Sequence, residues 1–386
     1  VPVLYSLMFK DKKVLKNIPK QPGIYQFFNG TWDIIYIGKS VNLHSRIASY
    51  FNEKATLNFA KKKMVKQIVD VKTIVVNNET ESLILDAGAL AQITASGSIT
   101  NLTDISIRDS GGATFGGAVT ASNDFIISES AGDIIFNGAL TAGTFTQTAD
   151  ANTAYNLEFN AGGTITDAVN FSNAGTVTIG DGTGTDVMTF TGGLIVTTPT
   201  ALTLAQTIAT TNTDMTLGDS GTGITLAADT ILNAGSGALN INGAVTGGNN
   251  SLALNTTGTT TIGAAISGIT TLTTNAIGTT AVSANISSSG QQTFNDAVTV
   301  DGTLDFTASQ VEFNSTLQGA DGTGDNLTIS GILDLNAAAT NLTSLVVEGA
   351  TELGGNVTTS GLQIPSNLGT KIKSTFYPKQ ILHGQK

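Results

Sequence analysis

Cysteine is absent from the 386-residue chain. Its absence excludes disulfides, zinc–thiolate centres and cysteine nucleophiles. No run of 18 apolar residues occurs, so the sequence predicts no transmembrane helix. The first residues, VPVLYSLMFKDKK, are apolar and then basic, which is the reverse of a secretory signal, and none is predicted. Tryptophan occurs once, at Trp32, and histidine twice.

Basic residues are almost missing from most of the chain. Residues 86–370 hold one, Arg108, against 23 Asp and Glu, whereas residues 1–85 hold 13 basic and six acidic residues. Residues 371–386 hold four lysines and no acid, and 41 of the 44 glycines follow residue 85. This asymmetry indicates separate domains, with local net charges of +7, −22 and +4. The predicted division is a domain at 1–86, a second at 87–370 and an unassigned basic tail at 371–386.

The N-terminal domain has the pattern of an α+β fold. Asn29-Gly30 is a strong hairpin turn pair between two apolar runs. Apolar residues at helical spacing follow, and Asn78 is a candidate N-cap. The predicted elements are strands at Tyr25–Phe27 and Ile34–Ile37, helices marked by Leu43–Phe51 and Ala60–Ile68, a strand at Val71–Val76 and a third helix beginning at Glu79.

A series of motifs makes this domain similar to a known family. Gly23-Ile24-Tyr25 precedes Tyr36-Ile37-Gly38-Lys39, and Asn42-Leu43-x-x-Arg46 precedes a Tyr-Phe pair and a lysine-rich helix. NETESLIL, residues 78–85, ends the series. Over about residues 14–86 it resembles the nuclease domain of the UvrC-type excinuclease subunit, in the GIY-YIG endonuclease family. The resemblance implies a small three-stranded sheet with helices, DNA cleavage in nucleotide excision repair, a UvrB-type partner subunit and a cytoplasmic location.

The resemblance also implies a site for metal-dependent phosphodiester cleavage. Such cleavage needs a nucleophilic water, a base for its proton and charge neutralisation on the phosphate. Glu81 is implied to hold one Mg²⁺ or Mn²⁺ ion, and one hydroxyl of Tyr25 and Tyr36 to act on the water. Further implied roles are phosphate contact by the planar fork of Arg46, a second cation at Lys39, a supporting hydroxyl at Tyr50, and sequence-independent binding of the DNA backbone by Lys61, Lys62, Lys63 and Lys66.

Simpler structural roles exist for the same residues. The two tyrosines could pack a sheet, Arg46 could be a solvated helix residue, and the lysines could form a solvated face. Glu81 lies three residues after Asn78, the spacing of a capping partner. The chain also departs from the family, because Leu85 is followed by DAGALAQ instead of a polar helix and a closing segment. We therefore expect a shortened last helix and a weakened site.

Residues 87–370 have the pattern of stacked short strands. Aliphatic residues alternate with Thr, Ser and Asn, and glycines and asparagines interrupt them. A six-residue motif recurs, twice at a spacing of 21 residues, which favours a right-handed parallel β-helix, an all-β β-solenoid. The motif appears as FGGAVT (115–120), FNGALT (136–141), ITDAVN (165–170), INGAVT (241–246), IGAAIS (262–267) and FNDAVT (294–299).

The repeats at 256–361 resemble those of filamentous-haemagglutinin-like and autotransporter adhesins. The resemblance implies an extracellular or cell-surface location, with cell-surface or host partners. Asp181–Gly184 and Asp219–Gly221 could be calcium loops, but turns are favoured because no nonapeptide calcium repeat is sustained.

Because the two resemblances imply different compartments, we expect a chimeric chain. The first functional hypothesis is a UvrC-like nuclease fragment. The second is a structural, adhesin-like surface protein with an unrelated N-terminus.

Overall fold

A computed structural model describes residues 18–52, 59–75, 82–148, 154–361 and 363–372. The chain divides into two compact units, Val1–Glu81 and Ser82–Lys386. The second unit thus begins at Ser82, a few residues before the boundary that composition indicated. Across the described ranges, no helix is both long enough and apolar enough to span a membrane.

The first unit contains a three-stranded antiparallel sheet with the strand order β2-β1-β3. Its strands are β1 Gly23–Phe28, β2 Ile34–Ser40 and β3 Asp70–Val75, and its helices are α1 Leu43–Tyr50 and α2 Phe59–Val65. The three strands and two helices predicted at these positions are confirmed.

Helix α1 packs on one face of this sheet. Asn42 is its N-cap, and its side chain accepts a hydrogen bond from the backbone N–H of Ser45 at 2.9 Å. Leu43, Ile47 and Tyr50 are buried at helical spacing, in one cluster with Tyr25 and Phe27. The apolar periodicity of the helix therefore places Tyr50 against the tyrosine of β1.

The predicted third helix is wrong over the residues that the structure describes. Ser82–Gly88 forms a strand, β4, that pairs in parallel with Asp104–Ser110. Leu83 and Leu85 alternate toward the solenoid core, while Ile84 is exposed. The neighbouring coil supplies both backbone partners and a core, and this tertiary context overrides local helix preference. Glu79, where the helix was predicted to begin, lies outside the described residues.

The second unit is a parallel β-solenoid of about 13 turns. Its described strands form one sheet of 24 strands and one of ten. In the N-terminal half the strands are β4 Ser82–Gly88, β5 Ile93–Ala95, β6 Ile99–Leu102, β7 Asp104–Ser110, β8 Ala113–Phe115, β9 Val119–Ile127, β10 Ile134–Phe136, β11 Leu140–Gln147, β12 Leu157–Phe159, β13 Gly163–Ile165, β14 Val169–Phe171, β15 Thr176–Ile179, β16 Val187–Phe190, β17 Leu194–Val196, β18 Ala201–Thr210, β19 Met215–Leu217 and β20 Gly223–Gly235. In the C-terminal half they are β21 Leu239–Ile241, β22 Val245–Thr246, β23 Leu252–Thr256, β24 Thr259–Ile262, β25 Ile266–Ile269, β26 Leu272–Thr274, β27 Thr279–Val282, β28 Ile286–Ser288, β29 Gln291–Phe294, β30 Ala297–Val300, β31 Thr303–Phe313, β32 Leu317–Gly319, β33 Asn326–Leu335, β34 Ala339–Leu342, β35 Ser344–Leu353, β36 Val357–Thr359 and β37 Gln363–Ile372.

Identical side chains stack along the solenoid core. Phe115, Phe136 and Phe159 are paired in register on β8, β10 and β12. Their ring centroids are 5.1 and 5.3 Å apart, with interplanar angles of 11° and 7°. All three side chains are buried, so the solenoid interior is a continuous apolar column, and the solenoid predicted from the repeats is confirmed.

The recurring six-residue motif forms a corner between two strands. In FGGAVT, Phe115 ends β8 and Val119 begins β9, and both side chains are buried. The small residues between them permit close stacking of corners, since a Cβ at Gly138 would lie 2.3 Å from the carbonyl carbon of Gly117 in the preceding coil. Small residues therefore recur in the motif because the backbone of each corner packs closely against the corner of the preceding coil.

The two aspartate-glycine segments form turns, as favoured from the sequence. Asp181 accepts a hydrogen bond from the backbone N–H of Thr183 at 2.7 Å. Asp219 accepts two, from Gly221 and Thr222, each at 2.7 Å. These backbone donors lower the pKa of both carboxyl groups, because they stabilise the charged form.

Candidate active site

Three tyrosines converge in the first unit. Tyr25 of β1 is fully buried, Tyr50 of α1 is nearly so, and Tyr36 of β2 is half-buried. The hydroxyls of Tyr25 and Tyr50 are 3.0 Å apart. The ring of Tyr36 lies 5.9 Å from that of Tyr25 and 6.0 Å from that of Tyr50, centroid to centroid. The fold thus brings together the three tyrosines named from the sequence.

A glycine makes room for the buried tyrosine. Gly38 pairs with Tyr25 across β1 and β2. A Cβ at Gly38 would lie 2.4 Å from Cζ of Tyr25 and 2.5 Å from its hydroxyl oxygen. No real side chain tolerates such contacts, so the glycine of Tyr36-Ile37-Gly38 is needed for the position of the Tyr25 hydroxyl. The sequence reasoning quoted Gly38 as a motif residue and missed this steric role.

Arg46 adds a positive charge beside the tyrosines. Its Nε donates a hydrogen bond to the hydroxyl of Tyr25 at 3.4 Å, and its guanidinium carbon lies 5.5 Å from the ring centroid of Tyr50. The hydrogen bond with Tyr25 is the main cause that raises the pKa of Arg46. The guanidinium therefore stays charged, in a position fixed by two of the three rings.

Tyr36 and Tyr50 differ in acidity. The pKa of Tyr36 is lowered, chiefly by its hydrogen bond with Tyr50 and to a smaller extent by Tyr25, Arg46 and Lys61. The pKa of Tyr50 is raised, chiefly by burial. Between these two, Tyr36 is therefore the hydroxyl that loses its proton more readily.

The lysines named from the sequence lie at different places. Lys61 of α2 is half-buried and acts electrostatically on Tyr36, whereas Lys62, Lys63 and Lys66 are exposed. Lys39 is exposed and pairs with Ile24. Because side chains alternate along a strand, Lys39 and Ile24 lie on the sheet face opposite Tyr25.

No residue that could hold a metal ion is described at this cluster. Glu81 lies outside the described residues. Among the residues that the structure does describe, no group of three or more His, Asp or Glu side chains is arranged to hold an ion. The described cluster itself supplies hydroxyls and a guanidinium.

Comparisons with known proteins match the residues of the first unit. A family profile described as a UvrC-like GIY-YIG domain matches residues 21–94. The chain is 41% identical over 81 residues to the UvrABC system protein C of Petrotoga mobilis, covering 21% of this chain and 14% of that protein. It is 43% identical over 75 residues to that of Prosthecochloris aestuarii, covering 19% and 12%. No solved structure matches the chain.

The similarity covers the N-terminal part of this chain and a small share of each relative. The chain spans only 12–14% of the length of these curated relatives. The matched residues include the tyrosines, Gly38 and Arg46, and the match runs on into β4 and β5. The N-terminal part of the chain is a small UvrC-like GIY-YIG domain, and a parallel β-solenoid follows it.

Proposed function

We propose that the first unit is a UvrC-like endonuclease fragment that cleaves DNA phosphodiester bonds. The observation that carries the proposal is the cluster of Tyr25, Tyr36, Tyr50 and Arg46 within the sequence match. It combines an acidified hydroxyl with a fixed guanidinium, which are the groups that hydrolysis of a phosphodiester requires.

In the proposed reaction, Tyr36 acts as the base. Its hydroxyl oxygen, once deprotonated, takes a proton from a water molecule. The water oxygen bonds to phosphorus, the bond from phosphorus to the leaving sugar oxygen breaks, and that oxygen takes a proton from solvent. Arg46 neutralises charge on the phosphate, and the Tyr25–Tyr50 pair orients both groups. We assign Mg²⁺ or Mn²⁺ to Glu81, where the ion would polarise the phosphate and stabilise the leaving oxygen.

DNA binding is proposed to be electrostatic. Positions 1–85 hold 13 basic and six acidic residues, and the resulting net positive charge attracts phosphates. The exposed lysines of α2, Lys62 and Lys63, and the following Lys66 suit contact with the DNA backbone without sequence preference. By its similarity to UvrABC system protein C, the unit is proposed to act in nucleotide excision repair with a UvrB-type subunit, in the cytoplasm.

The test is cleavage of plasmid DNA by the full chain. We expect cleavage to require Mg²⁺ or Mn²⁺ and to vanish in Glu81→Ala. Tyr36→Phe and Arg46→Ala should each lower the rate by about 10² or more with DNA binding nearly unchanged, because both act at the reacting phosphate. Glu79→Ala removes a carboxylate of the same segment and serves as the matched control. Metal-independent cleavage, or full activity in Glu81→Ala, would contradict the site assignment.

A second candidate is a structural, adhesin-like surface protein with an unrelated N-terminus. This candidate is favoured by a column of uncharged hydroxyl side chains on the solenoid. Each residue of the column pairs in register with a residue on the neighbouring parallel strand. The column comprises Thr178, Thr203, Thr225, Thr246 and Ser267. Regular polar surfaces with almost no basic residues suit a stalk and do not suit DNA binding. Removal of the chain by protease treatment of intact cells that carry it would support this candidate, and complete protection would oppose it.

We also propose that the chain is chimeric. Both composition and charge change where the second unit begins, near Ser82. Amplification across codons 80–95 from source DNA tests this origin. A product from the genome would show that the joined reading frame is real, whereas repeated failure beside amplified flanking regions would support an assembly product.

A further inference from the structure

The single tryptophan occupies a strained and exposed position. Trp32 lies in the turn between β1 and β2, and 61% of it is exposed. Its φ is 67°, in the left-handed region. Bulky side chains rarely adopt this conformation, in which glycine and asparagine are the usual residues. Such strain persists only where the surrounding structure holds the backbone in place.

The turn is held by its own side chains. Asn29 Oδ1 accepts hydrogen bonds from the backbone N–H groups of Thr31 at 3.0 Å and Asp33 at 2.8 Å. Asp33 in turn accepts hydrogen bonds from the side chains of Asn29 and Thr31. The backbone N–H of Trp32 donates to the carbonyl of Asn29 at 3.0 Å. The indole is therefore displayed on a fixed turn, with little ordering left to occur on binding.

A cation lies close to the same turn. The ring of Phe28 is 6.3 Å from the indole of Trp32, centroid to centroid, and Lys72 Nζ is 5.2 Å from that Phe28 ring. Phe28 is buried, and its ring contacts both Trp32 and Lys72. An exposed indole and a lysine that both contact the ring of Phe28 suit a nucleotide, whose base stacks on an aromatic ring while its phosphate pairs with an ammonium.

We propose that Trp32 stacks on an unpaired base of DNA held by the first unit, with Lys72 on an adjacent phosphate. The inference rests on the proposed function. It adds a preference for DNA that carries unpaired bases, because a base inside a duplex has no free face to offer. Asp33 keeps its negative charge in the same turn, because hydrogen bonds from Thr31 and Asn29 lower the pKa of its carboxyl group, so the favourable contacts proposed are those of the indole and of Lys72.

The lone tryptophan gives a direct readout. The full chain is titrated in EDTA with a 20-nucleotide oligo-dT strand and, separately, with a duplex of the same length. We expect saturable quenching of tryptophan fluorescence by the single strand and little quenching by the duplex. Because no cleavage is needed, the result does not depend on the metal or on Tyr36.

Substitutions separate stacking from folding. Trp32→Gly suits the left-handed backbone and should fold, yet it should weaken single-strand binding, measured by anisotropy of labelled DNA, about 5- to 150-fold, the equivalent of one stacked base. Trp32→Phe should retain most of the affinity. Ile37→Ala, which trims another exposed apolar side chain of the hairpin, should change it less than twofold.

Two results would overturn the inference. Equal single-strand affinity in Trp32→Gly and in the unsubstituted chain would show that the indole makes no contact, while the nuclease proposal would stand. Absence of any DNA binding by the unsubstituted chain would overturn both proposals together.

Discussion

Replacement of Gly38 by alanine tests the geometry of the candidate site most directly. The new Cβ would lie 2.4 Å from Cζ of Tyr25 and 2.5 Å from its hydroxyl oxygen. Non-bonded carbons prefer separations of about 3.5–4.0 Å. The ring of Tyr25 would therefore have to move by about 1 Å or more. Because this ring is fully buried, it can move only by displacing the side chains around it.

Both stability and catalysis should suffer from that movement. Overpacking of a buried site costs about 1–3 kcal/mol. Displacement of the Tyr25 hydroxyl also breaks its contacts with Tyr50 at 3.0 Å and Arg46 at 3.4 Å, at about 0.5–1.5 kcal/mol for each hydrogen bond. We expect a total loss of about 2–6 kcal/mol in the free energy of unfolding of the first unit. A displacement of about 1 Å among catalytic groups lowers rates by about 10²-fold.

Gly30→Ala is the matched control. Gly30 lies in the same hairpin, and nothing lies within 4 Å of the position of its Cβ. Urea unfolding followed by fluorescence of Trp32 reports on the first unit of each variant, and plasmid cleavage reports on the site. Identical unfolding midpoints for Gly38→Ala and Gly30→Ala would refute the close packing of Gly38 on Tyr25.

Further predictions concern the acidity of the site, the solenoid core and its pH response. Arg46→Gln removes a cation that lowers the pKa of Tyr36, so the alkaline rise in cleavage rate should move to higher pH in a pH–rate profile. Phe136→Ala should destabilise the solenoid by about 3–5 kcal/mol in denaturant unfolding, and Phe136→Leu by less. Asp296 is buried and its pKa is raised, mainly by desolvation, so its destabilising effect at neutral pH should fade as the pH drops toward 3.8. As the pH drops from 7 toward 3.8, the unsubstituted chain should therefore gain thermal stability relative to Asp296→Asn, whose side chain cannot ionise.

Local patterns made the first unit predictable. Asn29-Gly30 marked the hairpin, and the spacing of Leu43, Ile47 and Tyr50 marked the helix that buries them. Because these patterns depend on residues close together in sequence, the hairpin and the helix that they predict form in the fold. The convergence of Tyr25 with Tyr50 depended on family resemblance, since no local rule brings together side chains that are 25 residues apart.

The solenoid was predictable for a different reason. Successive coils stack in the same way and need similar residues at their corners, so a recurring corner motif indicates stacking. Stacked rings such as Phe115 and Phe136 follow from the repeat, as their in-register pairing confirms. The role of Gly38 was not predictable, because the clash it avoids involves a side chain on another strand.

The misassigned third helix arises where these two kinds of signal compete for the same residues. Leu83, Ala87 and Leu90 recur at helical spacing, and the sequence match runs to residue 94. Leu83 and Leu85 also alternate as residues of a strand do. Their strand pairs with β7 of the adjacent coil, and both side chains pack against the solenoid core. The strand gains parallel backbone partners and a core, whereas a helix would gain its own hydrogen bonds and one apolar stripe.

That outcome bears on the proposed metal ligand. Since Ser82 already belongs to a strand, a helix from Glu79 cannot continue past Glu81. Glu81, the residue proposed to hold the ion, directly precedes in sequence the strand that begins at Ser82. We therefore expect weak but measurable metal-dependent cleavage by the full chain, against which the loss in Glu81→Ala is scored.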